Sequence, residues 1–148
     1  MKLVKDIMTR DITSVTPDNT MRHFARVLAN HRFHGVPVVD IEGKVVGFIS
    51  DKDLVKSEFP HYDRGNGYFL IRDFAGMAKR LSSVGNQKVE DFMTINPVCV
   101  TENDPIIDVV KIILEQGFKV LPVTRDGILV GVVGRAEVCN ELLDSGTL

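Results

Sequence analysis

Apolar positions along the chain alternate between strand-like and helical spacing, and they do so in the same order twice. Ile12-Thr13-Ser14-Val15-Thr16 is short and β-branched, the pattern of a strand. Met21, Phe24, Ala25 and Leu28 then recur at helical spacing, after an Asn19 suited to cap the helix. Val36 to Val39 and Val45 to Ile49 are strand-length apolar runs joined by a turn at Glu42-Gly43-Lys44. The second run is nearly all apolar, as in a strand covered on both faces. A closing helix is expected from about Asp51. Further along, Asp104 is the expected cap and Pro105 the first helical residue, where a missing N–H costs nothing. Ile106, Val109, Val110 and Ile113 form the apolar stripe of that helix. Leu121 to Thr124, a turn at Asp126-Gly127, and Leu129 to Val133 follow, with a helix from Arg135.

Direct superposition makes the duplication explicit. Val4 falls on Val89, Asp6 on Asp91, Met8 on Met93, Thr9 on Thr94, Val15 on Val100 and Thr16 on Thr101. Phe33 falls on Phe118, Pro37 on Pro122 and Val38 on Val123. After one residue is dropped in the second turn, Gly43 meets Gly127, Val46 meets Val130 and Gly47 meets Gly131. Chance would supply about three such matches at ordinary composition. The order β-α-β-β-α, twice, predicts an α/β protein of two small sheets. Each copy is too short to bury much core by itself, so the two are expected to fold against each other. The expected organisation is repeat one over residues 1–56, a spacer over 57–88 and repeat two over 89–148. The spacer opens with turn formers and then sets Leu70, Phe74, Met77 and Leu81 at helical spacing. A helix over Tyr68 to Leu81, ended by Ser82 to Asn86, is expected to strap back on the pair or to meet a partner.

Composition narrows the function. With 148 residues, a formal net charge of −2 and 26% charged residues, the chain is neither generally basic nor low in hydrophobic content. A nucleic-acid binder is therefore disfavoured. No apolar run reaches the roughly 18 residues of a membrane span. The start lacks the apolar core of a signal peptide, and a cytoplasmic protein is expected. Cys99 and Cys139 have no C-x-x-C partner and are expected to pack as small apolar residues. No spacing suits a metal, and none of the usual nucleophile or phosphate-loop motifs is present. Gly65-Asn66-Gly67 follows no strand and reads as a turn.

The strongest local feature is Gly47-Phe48-Ile49-Ser50-Asp51-Lys52-Asp53, an apolar strand running into Ser-x-x-Asp at a helix start. Two roles fit this spacing. Ser50 and Asp53 could close a capping box. Alternatively, the helix start could face an anion while the carboxylate accepts from both hydroxyls of a ribose.

The doubled pattern of D-x-M-T, strand, amphipathic helix, Pro-Val strand and G-h-h-[ST]-x-x-D resembles a CBS domain pair, the Bateman module. The resemblance covers roughly residues 4–56 and 89–143. Repeat one carries the full fingerprint in Val36-Pro37-Val38-Val39-Asp40 and Val46 to Asp53. Repeat two has Arg125 in the place of Asp40, and Gly134 and Glu137 where Ser and Asp are wanted. The resemblance implies two clefts related by pseudo-two-fold symmetry that bind adenosyl ligands. One would be formed by Ser50 and Asp53 with Met93, Val98, Lys119 and Val120 of repeat two. A second, weaker cleft would have Glu137 with Met8, Thr13 and His34, and a basic cluster of His31, Arg32 and His34 near it.

The resulting expectation is a stand-alone regulatory module, not an enzyme and without a cofactor. It would bind AMP, ADP, ATP or a similar adenosyl compound and modulate a protein partner or its own assembly. The family implies a homodimer, for which Ile107 and Ile112 offer a second apolar helix face. An interaction or scaffold module with vestigial clefts is the alternative. Strongly salt-dependent DNA binding would revive a nucleic-acid reader, and turnover of ATP would expose an enzyme.

Overall fold

The computed structural model describes residues 2–31, 33–58 and 74–145. The expected turn at Gly65-Gly67, the start of the spacer helix at Tyr68, and Arg32 lie outside them. The first half contains α1 (Val4–Ile7), α2 (Met21–His31), β1 (Gly35–Val39), β2 (Val45–Ser50) and α3 (Asp51–Glu58). The spacer contributes α4 (Phe74–Val84). The second half contains a 3-10 turn (Val89–Asp91), β3 (Thr94–Ile95), β4 (Val100–Thr101), α5 (Ile106–Gln116), β5 (Val120–Arg125), β6 (Ile128–Gly134) and α6 (Arg135–Ser145).

Two three-stranded sheets form, in the orders β1-β2-β3 and β4-β5-β6. Each is completed by a segment from the other half or from its own lead-in. Thr94 pairs with Phe48 of β2, and its counterpart Thr9 bridges Val132 of β6. Val100 lies parallel to Val123 of β5, and its counterpart Val15 bridges Val38 of β1 in the same sense. The expected strand over Ile12–Thr16 is thus reduced to a single bridge at Val15. The chain there must pass from the edge of β6 at Thr9 to the edge of β1 within a few residues, and can pair only briefly at each end.

The leading turns cross over as well. Val4 N–H donates to the Asp104 carbonyl, and Val89 N–H donates to that of Asn19, at 2.9 and 2.8 Å. Val4 is consequently buried with Val100, Val109, Leu121 and Val133 in the second core. Val89 is buried with Val15, Phe24, Val38 and Ile49 in the first. Each core therefore contains a residue from the start of the other repeat.

Asn19 and Asp104 do not cap the helices as expected. Their side chains instead accept from the N–H of Thr16 and Thr101, both at 2.8 Å, tightening the turn that leads into each helix. Thr20 takes the cap of α2, accepting from His23 N–H, and Pro105 is the residue preceding α5 rather than its first member. The hairpins also divide their burial differently from the expectation. The middle residues of β1 and β5 are buried, whereas β2 and β6 alternate toward partial exposure. Successive strand residues point to opposite faces, so the consecutive buried residues place cover on both faces of the Pro-Val strands, while the alternation leaves one face of β2 and β6 more open.

The second hairpin turns through Asp126 (φ 53°) and Gly127 (φ 82°), two consecutive left-handed residues. In the longer first turn Asp40 Oδ1 accepts from both Glu42 and Lys44 N–H. Arg125, standing where Asp40 does, instead makes a two-pronged pair with Glu102, at 2.5 and 2.7 Å.

The spacer helix ends at Val84, later than expected, and Val84 is buried in the first core. The Gly85 and Gln87 carbonyls accept from the first amides of α2, those of Arg22 and Met21. This end of the spacer is a strap. Ile112 packs on the second core rather than forming an outer face, while Ile107, Leu114 and Leu143 are exposed. Cys99 is half-buried, which pushes its thiol pKa up, and Cys139 is exposed rather than packed inside.

Candidate functional site

The two hairpins end side by side, and this creates two cavities. In repeat one, Gly35 of β1 lies opposite Ser50 of β2; in repeat two, Val120 of β5 lies opposite Gly134 of β6. The small residue has changed strands between the copies. A Cβ on Gly35 would come within 2.8 Å of the Ile49 carbonyl, and one on Gly134 within 2.3 Å of the Lys119 carbonyl. The lost hydroxyl of repeat two is therefore a packing consequence: the chain is too close there for any side chain.

The first cavity, of about 220 Å³, opens over the start of α3 and is lined by Ser50, Asp53, Phe48, Thr94, Lys119 and Val120 among others. A slot of about 150 Å³ continues from it between Val98, Phe118 and Pro122. The two share Phe48, Thr94, Phe118 and Val120, so together they form one elongated cleft. Asp53 Oδ2 accepts from Ser50 N–H at 2.8 Å and from Ser50 Oγ–H at 3.1 Å. This is the backward half of a capping box, as one of the two sequence readings expects. Among the described residues, Asp53 Oδ1 has no hydrogen-bond partner. The two readings are compatible, because one carboxylate oxygen closes the helix start and the other remains for a ligand.

Asp51 and Asp53 both sit in the first turn of α3 and complement its dipole. An anionic group is therefore better met by Lys119 or Lys52, which line the same cavity. Asp51 Oδ2 lies 3.4 Å from His34 Nδ1, at the long end of hydrogen-bonding range.

The second cavity, of about 270 Å³, lies over the start of α6. Glu137, Thr13 and His34 line it as expected, with Asp11, Lys119 and Thr9 in addition. Thr9 Oγ donates to Glu137 Oε1 at 3.0 Å, occupying part of that carboxylate.

Of the expected site residues, Ser50, Asp53, Lys119 and Val120 come together in the first cavity and Val98 in its slot. Met93 and Met8 do not line the cavities. Their sulfurs pack against Gly47 and Gly131, where an added Cβ would approach to 2.6 and 2.9 Å. They set the spacing between the crossing segment and the strand. Residues that sequence reasoning passed over are Phe48, Thr94, Thr9 and Asp11. Thr9 and Thr94 were visible in the repeat alignment, but nothing local marks them as cavity residues, since their place depends on the crossover.

The family model for the CBS domain matches the chain twice, over residues 4–59 and 89–144. The chain belongs to the CBS domain family. The CBS-domain protein CBSX1, chloroplastic, of Arabidopsis thaliana is 33% identical over 155 residues, covering 95% of this chain. This chain spans 64% of that relative's length. A crystal structure of CBSX2 in complex with AMP superposes with a TM-score of 0.77, at 26% identity and 99% coverage of both chains. A second structure of CBSX2, a CBS-pair protein from Arabidopsis thaliana, gives 0.78 at 27% identity over 99% and 97% of the two chains. The CBS pair accounts for both sheets and for the cavities between them. Among the described residues no helix is long and apolar enough to cross a membrane, and no cluster could hold a metal ion.

Proposed function

We propose that this CBS pair is a regulatory module that binds an adenine nucleotide or related adenosyl compound in the cleft marked by Ser50 and Asp53. The observation that carries this reading is the Ser50–Asp53 pair. It holds a carboxylate at the mouth of an elongated cleft with one oxygen engaged and the other without a partner. A free carboxylate oxygen suits a ribose diol, which offers two donors. The adjoining slot between Val98, Phe118 and Pro122 suits a flat, largely apolar base. Lys119 and Lys52 supply positive charge for phosphate at the other end. The AMP complex of CBSX2 supports the same ligand class.

Binding would alter contacts with a protein partner or a second copy of the chain. Exposed Ile107, Leu114 and Leu143 on α5 and α6 give a helical surface for a homodimer. The module performs no chemistry on the ligand in this reading. Glu137, already bonded to the Thr9 hydroxyl and with Gly134 where repeat one has Ser50, makes the second cleft the weaker one.

A thermal-shift panel of AMP, ADP, ATP and S-adenosylmethionine against guanosine counterparts tests this. A ligand at about 100 times its Kd adds roughly 2.7 kcal/mol of stability. At least one adenosyl compound is expected to raise the melting point where its guanosine counterpart does not. No shift with any of them would favour an interaction module with vestigial clefts.

A further inference from the structure

The two cavities share a wall. His34, Gly35, Lys119 and Val120 line both of them, and they are each other's counterparts in the two repeats. The wall is pinned from both sides: the His34 carbonyl accepts from Asp51 N–H at 2.8 Å, and the Lys119 carbonyl from Arg135 N–H at 3.2 Å. Its backbone is thus tied to the starts of α3 and α6, and its side chains serve two sites at once.

The charges are distributed unequally around it. The first cavity has Lys52 as a cation of its own to offset Asp51 and Asp53. Among the described residues, the basic groups lining the second are the shared His34 and Lys119, while its own charged groups are Asp11 and Glu137. Lys119 makes no ion pair among the described residues, and His34 already lies against Asp51. An anion in the first cavity therefore draws on the cation that the second needs. It leaves the second facing two carboxylates and a neighbouring negative charge across a thin wall.

We infer that the two clefts are negatively coupled for phosphorylated ligands and uncoupled for neutral ones, through the shared Lys119. This rests on the adenosyl-binding reading of the clefts. Coupling of this kind usually changes affinity by between about fivefold and 150-fold. It makes the chain respond to the first phosphorylated ligand while resisting a second.

Calorimetric titration of the wild-type chain and of Asp53→Ala with AMP and with adenosine tests it, with Asp53→Asn as a second variant that retains the cap. Weakening the first cleft leaves it empty while the second fills. In the variants, the second cleft is expected to bind AMP about tenfold more tightly than in the second step of the wild type. For adenosine its affinity is expected to be the same in all three, and added salt should narrow the AMP difference. An AMP affinity of the second cleft that is unchanged by the variants overturns the coupling. So does a single wild-type step that both variants abolish, because the second cleft then never binds. Failure of the wild type to bind AMP or adenosine at all overturns the binding reading itself, a distinct result.

Discussion

Asp53 closes the start of α3, and in the proposed reading it also meets the ligand. Its Oδ2 closes on Ser50 N–H and Oγ–H, while Oδ1 faces no protein partner among the described residues. Asp53→Ala should therefore lower the stability of the unliganded chain by about 0.5–2 kcal/mol, as for other lost caps. It should also weaken adenosyl ligands about ten- to a hundredfold, since charge-assisted bonds are worth about 1.5–3 kcal/mol each. Asp53→Asn retains an acceptor for Ser50 N–H and should preserve the melting point better than the affinity. Denaturant melts and calorimetry on both variants separate the two roles. A lowered melting point with unchanged affinity would remove Asp53 from the ligand site. Gly134→Ser makes the complementary point, because on sequence alone it restores the missing hydroxyl. Its Cβ would lie 2.3 Å from the Lys119 carbonyl, so it should destabilise by about 1–3 kcal/mol as the strands separate. A variant as stable as the wild type would contradict that close approach. Glu102 gives a pH dependence. The Arg125 guanidinium holds its carboxyl below the usual carboxylate range. The stabilisation is present above the unfolded-state value of about 4.3 and is lost as pH falls through the lower folded value. The melting point of the wild type should drop more steeply over that acid range than that of Glu102→Gln; parallel curves would show that the pair contributes nothing.

Among the elements, the crossing turns matter most. Val4 is fully buried in the core of the second repeat, so Val4→Ala should cost about 1.5–3 kcal/mol. Hydrogen exchange should report the loss at Val100, Leu121 and Val123, far along the chain, rather than at α2; loosening confined to the first sheet would contradict the crossover. This arrangement marks the boundary of what was legible in sequence. Helices α2 and α5 and both hairpins follow from apolar spacing and turn residues, because those signals are local. The doubled fingerprint also points to Ser50, Asp53, Val98, Lys119 and Val120, which line one elongated cleft; their contact with a ligand belongs to the proposal. The swap of Thr9 and Thr94 onto the opposite sheets left no local signal, since a single residue pair decides it. Asn19 and Asp104 depart from the expected cap for a related reason: a side chain that bonds backward onto a turn is of the same residue type as a helix cap. Met8 and Met93 match between the repeats, yet only packing against Gly131 and Gly47 separates spacing from ligand contact.

For the molecule as a whole, each core includes a residue from the start of the other repeat, so the pair is expected to unfold as one cooperative unit. In the proposed reading, a ligand between the hairpin ends would touch both repeats at once, so its binding energy would act on their relative position. A regulatory output follows only from differential affinity for two arrangements. The most direct measurement is a crystal structure of the chain grown with saturating AMP. The nucleotide is expected in the first cleft, with its ribose hydroxyls on Asp53, its base between Val98 and Phe118, and its phosphate toward Lys119. AMP bound only in the cleft over Gly134 and Glu137, or absent from both clefts, would contradict the assignment.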